Sequence, residues 1–219
     1  MVIETGRKLT AFSIQRSARA SLRHCARRIG TLDRTAGDGI TMTSFRTLPG
    51  LPPYGPRAVC FPAEWGSRGQ EGLVVEFGSP GGQTWVGNFK PGLGGVDGVL
   101  LHPNRAEVLV MAAGSVWSVD PLSRDAIELA GAVDRTWPVN DPEGVIFSEQ
   151  GLAFLRLGPR GILWRTRRIS WDGFRHIELS EHALTGEAWS AIDDSWIPFS
   201  VDLRTGAVTG GAYPESAAH

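Results

Sequence analysis

Short apolar runs separated by turn residues are the feature that most constrains what this chain can fold into. From about residue 55 onward, such runs alternate with Gly, Pro, Asp or Asn. Strands of about four to six residues fit these runs, whereas a helix of about ten residues needs apolar positions at three- and four-residue spacing, which the runs lack. Strands are therefore predicted within 73–77, 98–101, 107–111, 115–119, 145–147, 152–157, 162–164, 196–201 and 207–208, and one or two helical turns within 123–132.

An Asp-Gly pair predicts one specific hairpin. Asp172 and Gly173 stand between the segments 167–171 and 174–178. An Asp-Gly pair tolerates the positive φ angles of a type I′ turn, whose twist matches the flanking strands. The resulting register pairs Trp171 with Phe174, Ile169 with His176, and Arg167 with Glu178.

Three short patterns recur along the chain and indicate internal repeats, unevenly spaced and about 40 residues apart at best. A Gly-x-x-Trp pattern occurs at Gly82–Trp85, Gly114–Trp117 and Gly161–Trp164. An acidic residue followed by Gly and two apolar residues occurs at 71–74, 97–100 and 143–146. The triplet Ser118-Val119-Asp120 reappears as Ser200-Val201-Asp202, each time before a turn.

These units resemble degenerate repeats of the β-propeller type over roughly residues 55–213. The resemblance implies an all-β domain over residues 46–215, made of antiparallel short-stranded repeats with three or four strands in each. Three or four units are fewer than most propellers contain, so a small closed ring, an open twisted stack and half of an oligomeric ring all remain open. Separately, residues 170–174 and 196–213 resemble small bacterial proteins of unknown activity, and that resemblance implies no function.

Charge is distributed unevenly along the chain. Residues 1–41 contain eight Arg or Lys against three Asp or Glu, whereas residues 42–219 contain 14 against 20. Nucleic acids carry negative phosphates, so the acidic globular part argues against a nucleic-acid partner. An acidic surface favours a basic protein as the partner.

Residues 1–45 are predicted to be a basic segment outside the core. Arg16, Arg19, Arg23 and Arg27 recur at helical spacing, as in a basic amphipathic helix. An organellar transit peptide, an arm for nucleic acid or anionic lipid, and a translation start that truly lies at Met42 are the three interpretations. No apolar run approaches the ~20 residues of a membrane span, so the expected location is the cytoplasm, or an organelle if the transit peptide is genuine.

Seven residues of the last quarter of the chain are candidates for binding a ligand or partner: Trp171, Asp172, His176, Glu178, Asp193, Asp194 and Trp196. On one strand, His176 and Glu178 share a face and present a nitrogen and an oxygen to a metal ion, with His182 beyond the strand. Adjacent acids before a Trp suit a cationic group. The simpler interpretation makes them a cross-strand polar pair and water-exposed turn residues.

Two hypotheses about function follow. The first is a protein-binding module, because repeated β units expose loops at one end and no nucleophile motif is present. The second is a metal-assisted hydrolase or lyase that uses the carboxylates and histidines above. No cofactor is predicted, since the Gly-rich stretches 78–82 and 91–95 lack the Gly-Lys-Ser/Thr of a phosphate-binding loop.

Overall fold

The computed structural model describes residues 44–66, 69–78, 82–140 and 143–214. All of these residues belong to one compact unit. About 55% of the described residues are in strands and 2% in a helix, which confirms the all-β prediction. The predictions made for residues 1–41 lie outside the described residues.

Four sheets of four strands follow one another along the chain. The first sheet contains β1 (Ser44–Leu48), β2 (Val59–Phe61), β3 (Leu73–Gly78) and β4 (Thr84–Phe89) in the order β1-β3-β4-β2. Its β2 lies parallel to β4, and its other pairs are antiparallel. A short helix, α1 (Ala63–Gly66), follows β2. The first sheet thus begins earlier than residue 55, where the sequence pattern begins.

The other three sheets are antiparallel meanders in which neighbours in sequence are neighbours in space. The second contains β5 (Gly98–Leu101), β6 (Val108–Ala112), β7 (Ser115–Val119) and β8 (Ala126–Ala130). The third contains β9 (Val133–Asn140), β10 (Glu143–Glu149), β11 (Ala153–Gly158) and β12 (Gly161–Arg165). The fourth contains β13 (Phe174–Leu179), β14 (Ala183–Ser190), β15 (Ser195–Asp202) and β16 (Val208–Gly210).

Three hydrophobic clusters join successive sheets. Phe77, Phe89 and Trp117 belong to the cluster of the first and second sheets. Leu109 and Phe147 belong to the cluster of the second and third. Phe154, Phe199 and Leu184 belong to the cluster of the third and fourth. The middle sheets are therefore buried on both faces, and this explains why β6 and β7 consist entirely of buried residues.

Two hairpin turns, one in the second sheet and one in the fourth, follow the repeated Ser-Val-Asp triplets. In the second sheet, the Asp120 N–H donates to Asp125 O at 2.9 Å, and the Arg124 N–H donates to Asp120 O at 2.9 Å. In the fourth sheet, the Asp202 N–H donates to Ala207 O at 2.9 Å, and the Gly206 N–H donates to Asp202 O at 2.8 Å. The fifth residue of each turn has a positive φ, 67° at Arg124 and 75° at Gly206. The two turns therefore have the same backbone arrangement.

Each of these turns also receives an indole from the preceding sheet. Trp85 Nε1 donates to Pro121 O at 2.9 Å, and Trp164 Nε1 donates to Leu203 O at 2.8 Å. Pro121 and Leu203 are the second residues of the two turns. The same indole-to-carbonyl hydrogen bond thus connects the first sheet to the second and the third sheet to the fourth. The tryptophans of two Gly-x-x-Trp patterns donate these bonds.

Two predictions about local structure are wrong. Residues 123–132 form a turn and strand β8 rather than helical turns. The segment 167–171 is not a strand, and Phe174 pairs with Ala188 of β14 instead of Trp171. The cause is tertiary: Ile169 is buried between the last two sheets, and its carbonyl accepts the N–H groups of Ala212 and Tyr213 at 2.8 and 2.9 Å.

Candidate functional site: the connector end of the sheet stack

The connections between sheets lie at the same end of the fold as the central turns of the second, third and fourth sheets, because alternate loops of a meander lie at the same end. We call this the connector end, and it consists of residues 90–97, 113–114, 131–132, 150–152, 166–173 and 191–194. The remaining turns form the opposite end, which consists of residues 102–107, 120–125, 159–160, 180–182 and 203–207. Most of the candidate residues lie at or next to the connector end.

A continuous series of backbone hydrogen bonds crosses the connector end from the second sheet to the fourth. Its members alternate between connections and central turns: Gly114 N–H to Val96 O, Val133 N–H to Gly114 O, Gln150 N–H to Ala132 O, Ile169 N–H to Leu152 O, and Gly173 N–H to Gly151 O, all between 2.8 and 3.0 Å. Gly114 has a φ of 87°, and a Cβ there would lie 2.5 Å from Gly94 Cα. The Gly-rich stretch 91–95 is therefore a tightly packed connection.

Four aspartates lie in the loops of the connector end. Asp97 Oδ1 accepts the Ala113 N–H at 2.6 Å, and Asp193 Oδ2 accepts the Ser190 hydroxyl at 2.8 Å. The exposed carboxylates of Asp172 and Asp194 have no hydrogen-bond or ion-pair partner within the described part of the chain. Two of the four charges are thus held in place by local hydrogen bonds, and two face solvent.

The two arginines in these loops are held by the protein itself. Arg167 Nη1 donates to Tyr213 O at 2.8 Å, and its Nη2 donates to Gly210 O at 3.0 Å. Arg168 Nε donates to Ser170 O, and its Nη2 donates to Trp171 O, each at 2.9 Å. The Arg168 guanidinium also lies 4.5 Å from the centroid of the Tyr213 ring and 5.4 Å from that of Trp171.

Apolar side chains add to this surface. Leu93 is 87% exposed and Ile192 is 71% exposed, both at the connector end. Beside Leu93 lies an open depression of about 500 Å³, which is also lined by Ala132, Leu152, Ala153, Glu149 and Arg168. Exposed leucine and isoleucine beside charged loops are typical of a surface that meets another molecule.

A second polar cluster lies on the face of the fourth sheet that points away from the third. Glu187 Oε2 accepts hydrogen bonds from Arg175 Nε at 2.6 Å and from His176 Nδ1 at 2.9 Å. These two hydrogen bonds, the one from Arg175 first, lower the pKa of the Glu187 carboxyl below its usual range. Arg175 in turn lies 4.5 Å from the Trp196 ring, which packs against Trp189 at a centroid distance of 5.2 Å.

The structure separates the candidates into two groups. Trp171 and Asp172 lie in the last connection, and Asp193 and Asp194 lie in the turn between β14 and β15, so these four share the connector end. Trp196 is the second residue of β15 and belongs to the second polar cluster with His176.

No hydrogen bond or ion pair joins His176 to Glu178 within the described part of the chain. A bulge interrupts β13 between Arg175 and Glu178, and His176 has a φ of 50°, so the two-residue alternation that the prediction assumed does not hold. His176 contacts Glu187 instead, and Glu178 stands opposite Thr185. His182 is exposed and lies 4.0 Å from its neighbour Glu181.

Metal binding receives no geometric support in the described residues. Among them, no three His, Cys, Asp or Glu side chains lie close enough together to hold a metal ion. Within the same residues, no helix has the length and apolar character needed to cross a membrane.

Several residues of the site escaped sequence reasoning. Arg168 was not predicted as a site residue, because its partner Tyr213 is distant in sequence and no local sequence pattern predicts a contact between them. Glu187 and Trp189 lie on β14, which was not predicted as a strand. Their alternation along Thr185, Glu187 and Trp189 was the available signal, since these positions face one side of the sheet.

A comparison with known proteins found no family model that matches the chain and no curated protein with significant sequence similarity. The function is therefore argued from the site alone.

Proposed function

We propose that the protein is a non-catalytic binding module that recognises a basic protein partner through its connector end. The four acidic side chains in the connector-end loops support the proposal, because they outnumber the three basic ones, Lys90, Arg167 and Arg168. The two arginines are also engaged by carbonyl groups and aromatic rings. In the loops of the opposite end that the structure describes, four Arg accompany four Asp or Glu. The unpaired carboxylates of Asp172 and Asp194 are the observation on which the proposal chiefly rests.

Rigidity of the backbone is a second support. Loops that recognise a partner bind more tightly when they are ordered beforehand, since less conformational entropy is lost on binding. The hydrogen bonds from Gly114 to Val96 and from Gly173 to Gly151 order the loops at both sides of the surface.

As part of this proposal, the four sheets are blades of a propeller-like stack that is open between its first and last members. The three clusters between successive sheets support blade-like packing. None of these clusters of described residues includes side chains from both the first and the fourth sheets. Recognition through the loops at one end is a common use of such repeated β units.

Neutralising the connector end tests the proposal. The triple variant Asp172→Asn, Asp193→Asn and Asp194→Asn keeps side-chain size and local hydrogen bonding but removes three charges. We expect the wild type to retain a stoichiometric basic protein from native lysate, the complex to dissociate at raised salt, and the triple variant to lose at least nine-tenths of the bound partner. Quantitative mass spectrometry after affinity capture measures this.

The matched control is Asp125→Asn, Glu178→Gln and Glu181→Gln, which removes three exposed charges at or next to the opposite end. It should retain the partner. Equal loss of the partner in both triple variants would show a general effect of net charge and contradict a specific surface. Recovery of no partner, together with turnover in a substrate screen, would favour the hydrolase or lyase hypothesis instead.

A further inference from the structure

Arg168 is a half-buried cation without a carboxylate partner among the described residues. Its Nε and Nη2 donate to the carbonyls of Ser170 and Trp171, while Nη1 has no hydrogen-bond acceptor within the described part of the chain. The guanidinium is fixed by the rings of Tyr213 and Trp171 and lines the depression beside Leu93. A partly desolvated charge is costly unless an opposite charge accompanies it. From this geometry we infer that the depression binds the C-terminal carboxylate of a peptide.

The walls of the depression suit the last side chain of such a peptide. Leu93, Leu152, Ala132 and Ala153 present apolar surface around the arginine. The volume of about 500 Å³ accommodates one or two residues with an aliphatic side chain. An apolar pocket with one fixed polar group is the usual arrangement for a site that recognises a small, mostly apolar ligand.

Surrounding charge favours a carboxylate over a phosphate. Asp172 lies four residues after Arg168, and its neighbour Gly173 bonds to Gly151 in the turn that borders the depression. Its negative charge opposes a dianion more strongly than a single carboxylate. The same charge attracts Lys or Arg residues that precede the C-terminus of the ligand.

Glu149 also lines the depression and would repel an anion if it stood alone. Its carboxylate is compensated by Arg165, whose Nε lies 3.0 Å from Oε2. Burial, as the largest effect, raises the pKa of the Glu149 carboxyl above its usual value against the opposing influence of Arg165. The charge of Arg168 therefore remains for the ligand.

The inference rests on the proposed function and makes it more specific: the basic partner offers its own C-terminal tail. The chain that binds would carry basic residues followed by an aliphatic residue with a free carboxylate. Asp172 and the other aspartates contact the basic residues, and Arg168 contacts the carboxylate.

The probe is the synthetic peptide acetyl-Lys-Lys-Ala-Leu with a free C-terminal carboxylate, compared with the same peptide as the C-terminal amide. Titration is followed by two-dimensional NMR of the backbone amides of Ala132, Leu152 and Ala153 and of the Trp171 indole N–H. We expect the acid to bind at least about tenfold more tightly than the amide, because a charge-assisted hydrogen bond to arginine contributes this much.

Two variants locate the effect. Arg168→Gln should reduce the ratio of the two affinities to about one, whereas the control Arg204→Gln, an exposed arginine at the opposite end, should leave the ratio unchanged. Because Arg168 also packs against aromatic rings, Leu93→Ser provides a variant at an exposed position. Leu93→Ser should reduce the affinity for the acid peptide several-fold, and the matched Leu122→Ser at the opposite end should not reduce it.

Each outcome is decisive. Equal affinity of acid and amide, with binding that still weakens in salt, would overturn the carboxylate site and leave the basic-partner proposal standing. Tighter binding of inorganic phosphate than of the acid peptide at the same amides would also overturn the inference. Absence of binding by both peptides at millimolar concentration would overturn it and count against the proposed function as well.

Discussion

The turn at 120–125 and the turn at 202–207 have one backbone arrangement and different side-chain surroundings. Arg124 and Gly206 both adopt a positive φ at the same position of the turn. At Gly206 a Cβ would lie 2.7 Å from Cγ of Trp164, so glycine is required by packing as well as by backbone conformation. Arg124 has room, and its guanidinium reaches to 6.0 Å from the Trp85 ring. Equivalent positions of a repeat thus share backbone conformation, while the neighbouring indole decides which side chain fits.

The largest expected effect is that of Gly206→Ala. The new methyl group meets the Trp164 ring and the backbone is strained at positive φ, so we expect a loss of roughly 2–4 kcal/mol in the free energy of unfolding. Urea denaturation monitored by fluorescence measures it. A change below about 1 kcal/mol would show that the indole moves aside without cost and that the two turns differ less than their packing indicates.

The two indole contacts should differ in strength. Trp85→Phe leaves the carbonyl of buried Pro121 without its indole donor, whereas Trp164→Phe leaves Leu203 O with a second donor, Arg156 Nη1. We expect losses of about 3 kcal/mol for Trp85→Phe and about 2 kcal/mol for Trp164→Phe, since an unpaired buried acceptor adds its desolvation cost. Urea denaturation of the two variants under identical conditions compares their losses of unfolding free energy. A larger loss for Trp164→Phe than for Trp85→Phe would contradict this account of the two contacts.

Histidines in corresponding loops of the second and fourth sheets differ in burial, and the buried one should make stability depend on pH. The His102 side chain is 4% exposed and its Nδ1 accepts the Asn104 N–H at 3.0 Å, whereas the His182 side chain is 84% exposed. Burial, partly opposed by Glu107, lowers the pKa of His102 from 6.5. The unfolded chain therefore binds a proton more readily, so stability should be constant above about pH 7 and should decrease as the pH falls below 6.5.

Unfolding free energies at pH 8 and pH 5.5 measure this dependence. His102→Gln should reduce the difference between the two pH values, and His182→Gln should leave it as in the wild type. If His182→Gln removed as much of the pH dependence as His102→Gln, burial would not be its cause.

The smallest expected effect is that of Arg124→Gly. Glycine removes the cost of a non-glycine residue at positive φ, about 1 kcal/mol, but loses a distant cation–π contact and makes the unfolded chain more flexible. We expect a net change within about 0.5 kcal/mol of zero. A loss above about 1 kcal/mol would show that the Arg124 contact with Trp85 matters more than its 6.0 Å distance indicates.

Sequence reasoning located the strands whose apolar residues dominate. β5 and β7 were predicted at their observed bounds, and β6 and β11 within one residue, because both faces of these middle sheets are buried and their runs are mostly apolar. β9 was missed because Asp134, Arg135 and Pro138 are poor strand formers, and Pro138 is tolerated because β9 is the edge strand of its sheet. β14 contains Gly186 and polar residues on its outer face.

The candidate site was predictable only in part. Asp193 and Asp194 were identified from their position beside Trp196, and their location in a turn follows from their polarity. Trp171 was placed in a hairpin because the Asp-Gly signal is local, whereas the contact that fixes it, with Tyr213 at a centroid distance of 4.7 Å, spans much of the fourth sheet. Contacts between distant segments depend on how sheets stack, and no short pattern encodes that.

The hydrogen bonds that cross the connector end have a consequence for how the protein comes apart. Repeat proteins often lose their units one at a time, because each unit touches only its neighbours. Here Gly114 bonds to the connections on both of its sides, and Gly151 and Leu152 bond to the connection that follows. Opening one sheet therefore breaks bonds of the next, and the amide protons that Gly114, Ile169 and Gly173 donate to these bonds should exchange with solvent only when the second, third and fourth sheets unfold together.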